Sequence, residues 1–189
     1  MLAAKVAAGE LPPVEERLPA EPLVVECIEE PGEYCDDLHR VLTGPADLTG
    51  NRIIVWDNFV RWDYRKGVLE PIPNLVTGWD VSDDGLTYTF YLRKGVRWSD
   101  GEPFTSEDIM FWYEDIALNE DLSPTFPSWL TSGGEPPVVT AVDDYTVNFA
   151  FAKPHGILIE SLAFNGSVIL NPKHYLSQFH PKYADADEL

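Results

Sequence analysis

The sequence predicts a mixed α/β fold, and three stretches carry that prediction. In residues 86–92, Leu86, Tyr88, Phe90 and Leu92 alternate with Thr87, Thr89 and Tyr91, the period of a half-buried strand. From Thr105 the period changes: Ile109, Trp112, Tyr113, Ile116 and Ala117 recur at i, i+3, i+4, i+7 and i+8, one stripe of an amphipathic helix. Further on, Tyr145, Val147, Phe149 and Phe151 alternate with Thr146, Asn148 and Ala150 behind residues 138–142 and an Asp143-Asp144 turn, which predicts a second hairpin.

Taken in order, residues 1–10 have Leu2, Ala3, Val6 and Ala7 on one side of a short leader helix that Gly9 and the following prolines end. Pro12, Pro13, Pro19 and Pro22 then make residues 11–22 an extended linker, because each proline fixes φ and disfavours helix in the residue before it. Residues 23–26 (Leu-Val-Val-Glu) and 39–42 read as short strands around a turn at Gly32. Residues 52–64 are apolar enough for a buried helix or strand, and periodicity does not choose between them. The central strand is bracketed by Asp84-Gly85 and Asp100-Gly101, dipeptides that accept positive φ and so reverse the chain. Thr105 is the predicted N-cap of the helix, with Asp108 three residues on as a capping box requires, and Glu107 and Asp108 at the positive end of the dipole. Residues 122–137 form a loop rich in Pro, Ser and Gly; residues 157–164 a short helix; residues 168–170 a strand; and residues 174–179 the start of another helix.

A chain of 189 residues with 44% hydrophobic and 12% aromatic content has enough apolar material for a core, and its length suits one or two domains. Thirty-two Asp and Glu against 13 Lys and Arg give a formal charge of −19, which repels nucleic-acid backbones and anionic membrane surfaces. Nucleic acid is excluded as a partner on this ground. No run approaches the length of a membrane span, and the N-terminus lacks the basic-then-apolar pattern of a signal peptide. Cys27 and Cys35 permit one disulfide in an oxidising compartment and are spaced too widely for a redox C-x-x-C motif.

Candidate chemistry is sparse. Residues 80–85 place oxygens and a glycine like the first half of a calcium loop, but Tyr91 stands where the bidentate glutamate belongs, so the hairpin turn explains them better. Asp83, Asp84, Asp100, Glu102, Glu107 and Asp108 each have a turn or capping role, which argues against a glycosidase pair. His174 and His180 are six apart and off a common helix face, so no metal set is predicted. No serine has a nucleophile-elbow context. No catalytic residue, cofactor or metal is therefore assigned. Aromatics outside the periodic segments are the binding candidates: Phe126 and Trp129 in the loop, and Trp56 before the polar pair Asp57-Asn58, with core filling as the alternative role.

The ordered run Trp79, residues 82–85 (Ser-Asp-Asp-Gly), 87–90 (Thr-Tyr-Thr-Phe), 92–96 (Leu-Arg-Lys-Gly-Val), 98–101 (Trp-Ser-Asp-Gly), 103–105 (Pro-Phe-Thr) and Glu107-Asp108 resembles the signature of the family 5 extracytoplasmic solute-binding proteins. Residues 143–147 and 171–175 sit where similar segments of that family lie. The resemblance implies a periplasmic-binding-protein-like type II fold, with residues 1–22 as leader helix and linker and 23–189 as a partial N-terminal lobe built on the central hairpin-plus-helix unit. It implies a non-catalytic receptor component of an ABC importer, holding a peptide or oligopeptide by closure of two lobes and handing it to permease subunits. The alternatives within the family are an oligosaccharide or a metal chelate; outside it, a truncated interaction module. Location is expected to be extracytoplasmic, with the membrane reached only through a lipid anchor or the permease, and an export signal removed or upstream of Met1. Family wall positions map to Pro45, Ala46 and Asp47 and to Thr125 and Phe126, with Trp129 nearby; Trp56 and Asn58 complete the expected ligand-binding set. Cys27 and Cys35 depart from the family pattern, which more often has proline at the first position and a glycine pair at the second.

Overall fold

A computed structural model describes residues 2–30, 32–33, 44, 57–65 and 67–184. The organising element is a four-stranded antiparallel sheet of β3 (Val76–Val81), β4 (Thr87–Leu92), β5 (Val138–Asp143) and β6 (Thr146–Ala150), in the spatial order β3-β4-β6-β5. Both predicted hairpins are present, and they join through β4 and β6, where Tyr88 faces Phe149 and Phe90 faces Val147. The alternation seen in the sequence is the sheet's two faces: Tyr88, Phe90, Leu92, Val147 and Phe149 are buried, while Thr87, Thr89 and Tyr91 are not. Phe90 meets Phe59 and Phe149 edge-on, with ring centroids 5.7 and 5.5 Å apart, and this aromatic row forms the centre of the core.

A smaller sheet pairs β1 (Val60–Asp63) with β2 (Glu70–Pro73), so the described part of the ambiguous apolar stretch resolves as a strand. Helix α3 (Ser106–Phe111) begins at Thr105, whose φ of −137° and capping box match the expectation. The helix continues as a wider π-wound turn over Trp112–Ala117, with Leu118 N–H reaching Tyr113 O at 3.1 Å. The expected stripe faces inward with Ile116 half-buried. Phe111 and Asp115 are buried as well, because His180 and Tyr183 cover the far side of the helix. Ser106 docks the helix start on the β5–β6 turn, its N–H on Asp144 O and its hydroxyl on Asp143 O.

Helix α1 (Leu2–Ala7) forms where expected and buries none of its residues. Several other expectations are corrected. The linker is not extended throughout: Val14–Arg17 form one helical turn, α2, started by Pro13 and favoured by Glu15 and Glu16 at its N-terminal end and Arg17 at its C-terminal end. Residues 23–26 run straight but pair with no strand among the described residues, so they lack the ladder that defines one. After α4 (Leu158–Asn165), the predicted strand at 168–170 is replaced by a 3₁₀ turn, Gly166–Ile169, because Ser167 N–H is claimed by the Asn58 side chain. Helix α5 (Lys173–Leu176) then tightens into a 3₁₀ turn at Ser177–Phe179. Cys27 is an exposed free thiol; Cys35, its expected partner in an oxidising compartment, and the strand expected at 39–42 lie outside the described residues. Among the described residues, no helix is long and apolar enough to cross a membrane.

Candidate functional site

The loop after the helix is held at both ends and offers its middle. Pro127 starts a 3₁₀ turn, Ser128–Leu130, whose last residue is fully buried and serves as the anchor. His155 Nε2 donates to Trp129 O at 3.0 Å, since a carbonyl only accepts, and Tyr113 OH donates to Pro137 O at 2.7 Å. Thr125 is exposed. Phe126 is half-buried, its ring 6.1 Å from that of Trp112 and 6.5 Å from that of Tyr113. Trp129 is also half-buried against the core. The two loop aromatics therefore share the roles left open by the sequence: one side of each supports the core and the rest is available. The loop presents ring faces, a hydroxyl and peptide groups, the equipment of a binding surface.

Asn58 occupies a different position. Its Nδ2 donates to Ala163 O at 3.0 Å and its Oδ1 accepts Ser167 N–H at 2.7 Å, while its own carbonyl accepts from Asn74 Nδ2 at 2.8 Å. Both ends of the amide are used on the main chain around the end of α4, so Asn58 fixes that corner. The packing there is close: a Cβ on Gly166 would lie 3.1 Å from Phe59 N. Pro45, Ala46, Asp47 and Trp56, expected beside Asn58 in the ligand set, lie outside the described residues.

A cleft of about 540 Å³ opens beside this corner, lined in part by Asp57, Leu75, Trp98, Phe104, Ser167 and Leu170. It shares no lining residue with the Thr125–Trp129 loop. Sequence reading missed it because Trp98 and Phe104 were taken only as parts of the ordered run that carries the family resemblance; two aromatics bracketing a tight turn were the available signal. Their rings meet edge-on at 5.8 Å.

Below this turn lies a polar hub. Asp108 is 3% exposed, and its Oδ2 accepts Thr105 N–H at 3.0 Å and Trp98 Nε1–H at 3.2 Å, while Oδ1 accepts Lys173 N–H at 2.9 Å. At the surface, His174 Nε2 meets Asp100 Oδ2 at 2.6 Å. That hydrogen bond holds the imidazole above its ordinary pKa and, together with Glu102 N–H, the carboxyl below its own. On the helix's other side, burial pushes the Asp115 carboxyl up, but hydrogen bonds from Lys182 and Tyr183 at 2.6 Å outweigh it and hold the group below the usual range. His180 Nδ1 accepts Lys182 N–H, so its Nε2 carries the proton and donates to Asp115 O at 2.9 Å. Both histidines are thus engaged within the protein.

The family model for bacterial extracellular solute-binding proteins, family 5 Middle, matches residues 70–188. A periplasmic alpha-galactoside-binding protein of Rhizobium meliloti is 35% identical over 95% of this chain and 28% of its own length. A dipeptide-binding protein of Escherichia coli is 31% identical over 59% of this chain and 23% of its own. Among solved structures, one of an oligopeptide-binding protein OppA superposes with a TM-score of 0.85 at 44% identity, covering all of this chain and 29% of that one. The periplasmic binding protein MelB of Agrobacterium fabrum, in complex with stachyose, gives 0.79 at 33% identity, over 95% of this chain and 30% of that one. This chain therefore spans under a third of the length of each of these proteins.

Proposed function

Because the chain belongs to the family 5 bacterial extracellular solute-binding proteins and its location is extracytoplasmic, we propose that it supplies one wall of a receptor that encloses an oligopeptide and delivers it to an ABC permease. The observation that carries the ligand class is the 44% identity, over the whole chain, to a structure named as an oligopeptide-binding protein. The proposed wall consists of the Thr125–Trp129 loop, with Pro45, Ala46, Asp47, Trp56 and Asn58 as the other members of the ligand set. Phe126 and Trp129 meet apolar peptide side chains or methylene stems, and the Thr125 hydroxyl meets the peptide main chain. The role is binding and release by lobe closure, with no bond made or broken.

A second reading has specific support. Two proteins matched over 95% of this chain are an alpha-galactoside-binding protein and one captured with stachyose, and aromatic faces stack on pyranose rings as readily as on peptide side chains. The receptor expressed at the length of its relatives separates the two by titration calorimetry against a mixture of three- to five-residue peptides and against stachyose. Micromolar heat with peptides alone supports the first reading and with stachyose alone the second. Binding of neither overturns both.

A further inference from the structure

His155 is a buried titratable side chain, 6% exposed, that stands between the large sheet and the candidate wall. Residues 151–157 carry the chain from the end of β6 to the start of α4, and on the way they strap the wall loop down. The Lys153 stem lies over Gly133, where at φ +68° a Cβ would stand 2.8 Å from Lys153 Cδ. Ser132 donates its hydroxyl to Pro154 O at 3.1 Å. His155 Nε2 donates to Trp129 O at 3.0 Å, so the last point of the strap grips the aromatic residue itself.

The strap is in turn held from the sheet. Tyr88, on the buried face of β4, donates its hydroxyl to His155 O at 2.8 Å, and the same carbonyl accepts Leu158 N–H at the start of α4. The Phe151 ring contacts those of both Tyr88 and His155, with centroids 5.9 and 5.0 Å away. Packing therefore fixes the imidazole's torsions and aims its N–H. In the loop, Leu130 N–H takes Pro127 O and Thr131 N–H takes Ser128 O, closing the 3₁₀ turn around Trp129, while Trp129 O turns to the imidazole. Holding the carbonyl of a residue holds its ψ, and with ψ the direction in which the side chain leaves the main chain.

We propose that His155 is the positioning residue of the ligand-binding loop. Its Nε2–H, braced from the sheet by Tyr88 and Phe151, sets the main chain of Trp129 and so the angle at which the half-buried indole meets the apolar face of the ligand. A ring that is already aimed loses less freedom on binding, and the difference appears as affinity. The role needs a donor at that point and nothing else of the imidazole's chemistry. The inference rests on the reading of the Thr125–Trp129 loop as a ligand wall, and its test separates the two.

The test uses the receptor at its relatives' length carrying fluorotryptophan, with the Trp129 fluorine signal identified by its loss in Trp129→Phe. His155→Phe keeps a ring against Phe151 and removes the donor. In that variant the Trp129 signal shifts and broadens, and affinity for whichever probe the wild type binds, stachyose or the pool of three- to five-residue peptides, falls about tenfold, the worth of one hydrogen bond. His155→Gln offers an amide N–H to the same carbonyl, so the signal returns to its wild-type position and affinity to within about twofold of wild type. In the wild type itself the His155 Nε2–H is protected from exchange with solvent, and fast exchange there overturns the proposal whatever the stability of the variants. An unchanged signal and affinity in His155→Phe overturns it too, as does failure of His155→Gln to rescue, since ring packing and not the donor would then be at work. A signal that moves and is rescued, with affinity constant throughout, upholds the hold on Trp129 and overturns the ligand role of the loop instead.

Discussion

Trp98 donates its indole N–H to the Asp108 carboxylate across 3.2 Å, joining the turn before the helix to the helix's first turn. The same carboxylate closes the capping box on Thr105 and accepts from Lys173, which lies 65 positions further on. A residue that reads in the sequence as a local helix signal is thus a junction for three segments.

Asp108→Asn should cost about 2–3 kcal/mol, because three N–H groups lose a charged acceptor and the new amide points a donor at one of them. Thr105→Ala should cost about 1 kcal/mol through the lost cap. The double variant should cost less than the sum, since both changes break one network. Urea midpoints measure all three, and strict additivity would mean that Asp108 acts on Trp98 and Lys173 independently of the cap.

The His174–Asp100 pair makes stability depend on pH with a defined sign. The imidazole is raised in the folded protein, so its contribution is complete below the ordinary 6.5 and is lost as pH rises through the higher folded value. The Asp100 carboxyl is depressed, so its contribution is present above the ordinary 3.8 and is lost as pH falls through the lower folded value. The Tm difference between the wild type and His174→Gln should therefore be largest between pH 3.8 and 6.5 and shrink on either side. A difference that is flat from pH 3 to 9 would show that the pair does not form in solution.

Asp115→Ala removes the anchor of residues 180–183. Lys182 is half exposed and screened, so the ion pair itself contributes little; the cost, about 2 kcal/mol, comes from the Tyr183 hydroxyl's lost bond to a charged acceptor and the loosened ring packing on Phe111. Trypsin should cut after Lys182 markedly faster in this variant than in the wild type. Equal cleavage rates would remove the anchoring role.

Local structure was legible where one period and one partner decide it. The β4 alternation, both hairpin turns and the Thr105 cap follow from residue spacing, and all are present as read. The failures lie where a distant partner decides. Residues 23–26 have strand composition without a ladder among the described residues, and residues 168–170 were read as a strand although Asn58, more than a hundred positions away, holds Ser167 in a turn. Burial of Phe111 and Asp115 had no periodic signal, because it depends on the chain returning at His180 and Tyr183. Of the candidate wall, the aromatics of the loop were visible as misfits in a connector. The Trp98–Phe104 cleft was not, because its aromatics were read only as parts of the family-signature run.

The central claim is that this chain is one wall of a clamp, and calorimetry at two chain lengths tests it most directly. An open wall leaves much of a ligand in water, so the 189-residue chain should bind a pool of three- to five-residue peptides, or stachyose, no tighter than about 1 mM, worth about 4 kcal/mol. The receptor at its relatives' length should bind one of them at about 1 μM or better, the added 4 kcal/mol or so arising from the second wall and its closure. Micromolar binding by the short chain alone, unchanged on lengthening, would contradict the account.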